Sequence, residues 1–138
     1  MNWPDDYINK IITGDCLEVM PGIPDGAVDC VITDPPYNSH THKNAKTTTG
    51  LKKFGVCFSE IDNYDFLGIL LAKSKYWIAV FCPIESVGII KSENENNYVR
   101  GMIWDRIVNT PQISGDRPSQ ACEGIALLHS TRKKMKWN

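Results

Sequence analysis

Apolar residues occur along this chain in short bursts separated by turn residues, and each burst predicts an element. The run "KIITG" (10–14) is β-branched and stops at Gly14-Asp15, which predicts a strand ending in a loop. In "CLEVMPGIPDG" the apolar residues Leu17, Val19 and Met20 suit one side of a brief helix, which Pro21 and Gly22 stop. "AVDCVIT" (27–33) predicts a second strand, ending at Asp34. Two such strands joined by a helical crossover would be parallel, with Asp15 and Asp34 at their carboxyl ends. Between about 38 and 56 the periodicity vanishes into Thr, Lys and Asn, the pattern of a long exposed loop. Apolar residues at 66, 67, 70 and 71 have helical spacing, and "YWIAVFC" predicts a buried strand cut off by Pro83. "IESVGIIKSE" reads as a short helix and "NENNY" as a polar turn. "VRGMIWD" and "EGIALLH" then read as two strands, and the Gly- and Pro-bearing segment between them allows an antiparallel return.

The predicted fold class is therefore α/β, a mostly parallel sheet with an antiparallel strand near the carboxyl end. Its 138 residues suit one domain, 1–138, with no internal repeat. Ligands on such sheets bind outside the carboxyl ends of the strands, where Asp15, Asp34 and the Cys82-Pro83 turn are all expected.

Composition changes this picture little. With 42% hydrophobic and 22% charged residues the chain is of globular type. A net charge of −1 offers no bulk attraction to nucleic acid or acidic membranes, although a lysine-bearing loop and the tail "RKKMK" are locally basic. The five cysteines are scattered without a Cys-x-x-Cys pair, which suits small buried reduced thiols better than a zinc site. His40 and His42 lack a third ligand, so no metal is expected, and His129 falls at a strand end. The polar, acidic start resembles no signal peptide, and Lys73, Ser74 and Lys75 interrupt the longest apolar stretch. A cytoplasmic protein with no membrane partner is expected.

The chemistry lies in "DPPY". An exocyclic amine on a nucleobase is a poor nucleophile because its lone pair is delocalised into the ring. Two acceptors set against its two hydrogens draw the nitrogen toward tetrahedral shape and free that pair. The Asp34 carboxylate supplies one acceptor, and the carbonyl of Pro35 suits the second. Pro35 and Pro36 stiffen the backbone that carries them, and Tyr37 offers a flat face for a base that has left its duplex. A strand end that merely turns would also use Asp-Pro-Pro. Trp104 fits a buried aromatic at a strand end. Phe54 and Phe58 would either wall a base pocket or pack beneath the loop.

The stretch "GDCLEVMPGIPDGAVDCVITDPPYN" resembles the amino-terminal signature of DNA amino-methyltransferases, which modify N6 of adenine or N4 of cytosine. "MIWDRIVNTPQISGDRPSQACEGIALLHSTRK" is similar to that family's strand-hairpin pattern, and together the two stretches cover well over half the chain. The resemblance implies a partial Rossmann-like methyltransferase sheet and S-adenosylmethionine as cofactor. It also implies that Asp34, Pro35, Pro36 and Tyr37 form the catalytic motif and that Asp15 and Asp34 lie at the cofactor. Aspartate at the first motif position inclines the reading toward adenine. DNA is the implied partner, with Lys43, Lys46, Lys52 and Lys53 facing its phosphates unless the loop is simply solvated. Only 33 residues precede Asp34. The order therefore resembles the permuted group of these enzymes, in which the catalytic half comes first.

The chain departs from that family in its glycines. None of its ten forms a Gly-x-Gly, whereas the permuted enzymes cradle the methionine part of the cofactor with a Phe-x-Gly-x-Gly loop. The expectation is a truncated catalytic half whose cofactor site is completed by a second polypeptide or a second copy. The alternative is a non-catalytic remnant with at most weak DNA binding.

Overall fold

The structure, a computed structural model, describes residues 1–36, 64–107 and 121–131. Four strands form one sheet: β1 (Val28–Thr33), β2 (Ser74–Cys82), β3 (Tyr98–Asp105) and β4 (Cys122–His129), in the order β1-β2-β4-β3. β1 and β2 are parallel, while β4 is antiparallel to both β2 and β3. The expected mostly parallel sheet with an antiparallel strand near the end is thus observed as a mixed sheet, with β4 as the antiparallel strand. Because β3 runs in the sense of β2, the last residues of β1, β2 and β3 all emerge on one edge.

Among the described residues three α-helices accompany the sheet: α1 (Cys16–Val19), α2 (Leu67–Lys73) and α3 (Ile84–Glu93). Pro21 lies in a 3-10 turn, Met20–Gly22, that closes α1 after a single turn. Gly26 then adopts φ +65°, a left-handed conformation open to glycine, and its N–H donates to the Ala72 carbonyl at 2.9 Å. An ion pair of 2.8 Å between Lys73 and Asp25 adds to this contact. The turn into β1 is thereby fastened to the end of α2, just where β2 begins. Pro83, which has no N–H to offer a ladder, ends β2 and opens α3.

The core lies on one face of the sheet. Leu67 and Leu70 of α2 and Ile90 of α3 pack on Ile78, Val80 and Cys82 of β2 and Ala126 and Leu128 of β4. Strand alternation sends the intervening residues to the other face, which no described helix covers. There Cys30 and Ile32 of β1, Ala79 and Phe81 of β2, and Met102 and Trp104 of β3 lie partly or largely in the open. Glu123, Leu127 and His129 of β4 are buried on that same face.

Two expectations require correction. The segment 10–14 is not a strand. It has no pairing partner among the described residues, and a strand without a neighbour leaves its backbone groups without a ladder. The parallel unit is instead β1–α2–β2. The cysteines are also less uniformly buried than expected, since Cys82 is buried and Cys122 half-buried while Cys16 and Cys30 are exposed. Cys57 lies outside the described residues.

Candidate active site

The site begins where β1 stops. The pairing of Thr33 with Val80, carried one residue on, sets Asp34 level with Phe81. Asp34 is exposed, and Pro35 and Pro36 after it are half-buried. Prolines at these positions end the ladder while leaving their carbonyls free to accept, so the strand delivers an acid and a stiffened turn to the edge. On the neighbouring strand the Cys82-Pro83 turn emerges beside them. Asp105, exposed, ends β3 on the same edge. Tyr37, Lys43, Lys46, Lys52 and Lys53 lie outside the described residues.

Asp15 does not stand at the end of a strand. It caps α1, its carboxylate accepting the Leu17 N–H at 2.8 Å and its carbonyl accepting from Glu18 and Val19. A carboxylate at a helix start satisfies donors that would otherwise be unpaired.

Beneath the edge, on the helix-covered face, the Cys82 thiol is fully buried. Burial pushes its pKa up to about 11, the Ala126 backbone opposing only in part, so at neutral pH it is a protonated, unreactive packing group. Tyr64 joins this cluster. Burial raises its phenol pKa, against the lowering effect of a hydrogen bond with Ser86 in the first turn of α3. At the opposite edge, His129 closes β4 as expected. Its ring lies edge-on to Trp77 at 4.5 Å, its Nδ1 pairs with the Thr131 carbonyl oxygen, and burial lowers its pKa. Among the described residues no three carboxylate, histidine or cysteine side chains gather as metal ligands.

Two features of the edge were not anticipated from sequence. Trp104, read as a buried strand-end aromatic, is 52% exposed and sits edge-on to Phe81, with ring centroids 5.5 Å apart and planes at 83°. The signal lay in the alternation of β3, where Trp104 shares its face with Arg100 and Met102, and a charged neighbour marks a face open to water. The second feature is an ion pair between Arg106 and Glu123, whose carboxylate is on a residue only 7% exposed. Glu123 stands directly opposite Trp104, and the Arg106 N–H donates to the Ala121 carbonyl at 2.8 Å. Together these interactions fix the mouth of the β3–β4 hairpin.

The mixed sheet of this order is consistent with a partial Rossmann-like methyltransferase fold. No protein-family model matches the chain. Over 144 aligned residues it is 28% identical to the type II methyltransferase M.HinfI of Haemophilus influenzae, an alignment covering 94% of this chain and 40% of that protein. It is 44% identical over 43 residues to the type II methyltransferase M.BglII of Bacillus subtilis, which covers 31% of this chain and 12% of that one. The solved structure of M1.HpyAVI in complex with SAM superposes with a TM-score of 0.63 at 16% identity, over 94% of this chain and 58% of the other. The chain is thus distantly related to type II DNA methyltransferases, shares their fold, and spans less than two thirds of the length of the relatives it matches.

Proposed function

We propose that this chain carries the catalytic half of a site-specific DNA amino-methyltransferase, in the permuted order, acting most naturally on N6 of adenine. The observation that carries the reading is the placement of Asp34 and Pro35 directly after β1, on the carboxyl edge of a methyltransferase-type sheet. In this reading the Asp34 carboxylate and the Pro35 carbonyl accept the two amine hydrogens. Pro36 holds the turn, and Tyr37 stacks the flipped base. Lys43, Lys46, Lys52 and Lys53 face DNA phosphates.

When bound, S-adenosylmethionine supplies an electrophilic methyl group on a sulfonium. With it bound, the Asp34 carboxylate and the Pro35 carbonyl would hold the amine toward that methyl group, and Asp34 would pass the displaced amine proton to water. The exposed carboxylates Asp34 and Asp105 suit a cationic sulfonium electrostatically. Asp15 is a further candidate for the cofactor side. These 138 residues contain no Gly-x-Gly loop that could cradle the methionine part of the cofactor.

A second reading, a non-catalytic remnant with weak DNA affinity, is favoured by that same lack of a glycine loop. Calorimetric titration of the full chain with S-adenosylmethionine, beside Asp34→Ala, separates the two. Micromolar binding weakened by the substitution, followed by radiolabelled methyl transfer to unmethylated genomic DNA, supports the catalytic reading. Absence of binding by the unmodified chain refutes catalysis by this chain alone and leaves the remnant.

A further inference from the structure

At the side of the sheet away from Asp34, β3 is the outermost strand, with no described strand on its outer side. Every residue from Val99 to Asp105 is exposed. Apolar side chains stand out on both of its faces. Met102 and Trp104 lie on the open face, and Ile103, 67% exposed, lies on the face that carries the helices. Edge strands that face water are ordinarily blunted by lysine, proline or a bulge. β3 has no lysine and no proline, and its one irregularity falls at its start, between Tyr98 and Arg100. The ladder from Arg100 to Asp105 is regular, so its outer N–H and C=O groups form an intact template.

A helix laid on a sheet covers one face. A strand added at the edge covers both faces through its alternating side chains and also pairs the free backbone groups, so the partner that fits β3 is another strand. β3 of a second copy meets the requirement through its own sequence. A two-fold axis perpendicular to the sheet makes the two β3 strands antiparallel and keeps like faces together. Centred on Ile103, such a pair would set Arg100 against Arg106 of the other copy, and like charges directly opposite repel. Centred on Gly101, it would set Trp104 against Tyr98, which the bulge turns toward the core. Centred on Met102, it sets Arg100 of each copy against the half-exposed Trp104 of the other, a cation–π pairing made twice. Met102 then meets its own counterpart on the axis. Ile103 lies beside Gly101 of the other copy, where Val87 overhangs the strand closely enough that a Cβ on Gly101 would be 2.9 Å from its Cγ1. That methyl group gives the exposed Ile103 an apolar contact.

We propose that β3 is a self-association edge, through which two copies of this chain pair antiparallel about Met102 and join their four-stranded sheets into one. The pairing leaves β1 and Asp34 at the two outer ends. The proposal stands independently of the amino-methyltransferase reading. A strand-on-strand contact is at the small end of protein interfaces, so a dissociation constant of about 1–100 μM is expected.

Sedimentation velocity of the full chain over a concentration series tests this. The unmodified chain is expected to show a monomer–dimer equilibrium. Met102→Lys and Met102→Glu each place like charges opposite one another on the axis, and each should weaken the dimer by about 5-fold or more. Mixing the two variants should restore association, because opposite charges then meet; a variant that merely damages the fold would not be rescued. Ile32→Lys, on the exposed face of β1, should leave the dimer unchanged. If a charged variant fails to fold by circular dichroism, Met102→Cys decides the matter. Under mild oxidation it should give a disulfide joining position 102 to position 102, identified by peptide mass mapping and so distinguished from links through the exposed Cys16 and Cys30. A chain that stays monomeric up to about 300 μM overturns the proposal. So do a dimer indifferent to charge at position 102, a dimer dissolved by Ile32→Lys alone, which would move the interface to β1, and a Met102→Cys chain that gives no link between the two positions.

Discussion

Gly124→Ala is expected to destabilise the fold, and the reason is local. Gly124 pairs with Cys82 on one side and Ile103 on the other, beneath the first turn of α3. A Cβ at this position would lie 2.8 Å from Cγ2 of Val87, 3.1 Å from the Cys82 carbonyl oxygen and 3.1 Å from Cα of Ile84. The valine methyl could rotate away. The other two atoms are backbone, so relief requires α3 to lift from the sheet at the point where the Cys82-Pro83 turn meets the candidate site. Overpacking of this kind costs about 1–3 kcal/mol, and the reduced freedom of alanine in the unfolded chain returns about 0.5–1, leaving a net loss of about 1–2 kcal/mol. Gly88→Ala is the counterpart. Gly88 is exposed in the interior of α3 with nothing near a built Cβ, so alanine should stabilise by about 1 kcal/mol through helix propensity. Urea unfolding followed by circular dichroism measures both. With a slope of about 1.5–2 kcal/mol/M, the Gly124 variant should move the midpoint down by roughly 0.5–1 M without changing the slope, and the Gly88 variant should move it up. A Gly124→Ala protein as stable as the parent would refute the close approach of α3 to β4.

Three further outcomes follow from the same structure. Arg106→Ala leaves the Glu123 carboxylate without the arginine it pairs with and should cost about 1–3 kcal/mol, part of which Glu123→Gln in the same chain restores; additive effects in a double-mutant cycle would show that the pair is not coupled. Asp15→Asn keeps the cap of α1 and removes the charge, so it should leave the unfolding free energy within about 0.5 kcal/mol of the parent. If it nonetheless weakens S-adenosylmethionine binding, Asp15 serves the cofactor as well as the helix. A thiol-specific chromogenic reagent should label Cys16 and Cys30 rapidly and Cys82 only on unfolding. Because the Cys82 thiol holds its proton up to about 11 in the fold but ordinarily loses it near 9, folding stability should fall as pH rises from 9 to 11, and Cys82→Ala should flatten that slope.

Elements whose partners lie within the described residues were legible in the sequence. The helix expected at "IESVGIIKSE" spans Ile84–Glu93, because Pro83 sets its start and apolar Ile90 faces the core. The strand after α2 and the antiparallel pair that follows were equally legible, since alternation of apolar residues reports a buried face directly. The turn at Asp34 was readable for a different reason, because an acid and two prolines straight after an apolar run must end a ladder. What alternation alone could not settle was reach. Trp104 was assigned to a buried strand end because its meeting with Phe81 depends on the order β1-β2-β4-β3, which local pattern does not encode.

The segment 10–14 carries this lesson further, because its composition and its conformation disagree. Its β-branched residues favour a strand, yet Ile11 is wholly exposed and no strand lies beside it among the described residues. Intrinsic β preference amounts to a fit for a pleated, half-buried surface, so without that surface it has nothing to act on. β1 presents the complementary situation. It is a well-formed strand with one side unpaired among the described residues, and Ile32 on its open face is 74% exposed. Soluble proteins seldom leave such an edge bare, because its free N–H and C=O groups recruit any strand available. This edge strand also delivers Asp34. In open α/β sheets the ligand crevice forms where strands lead off in opposite directions, so a strand with neighbours on one side supplies one wall of such a crevice. Asp34 and the stiff proline turn stand on that wall. A partner strand along β1 would supply the other wall, and Asp34 would then lie at the junction between them.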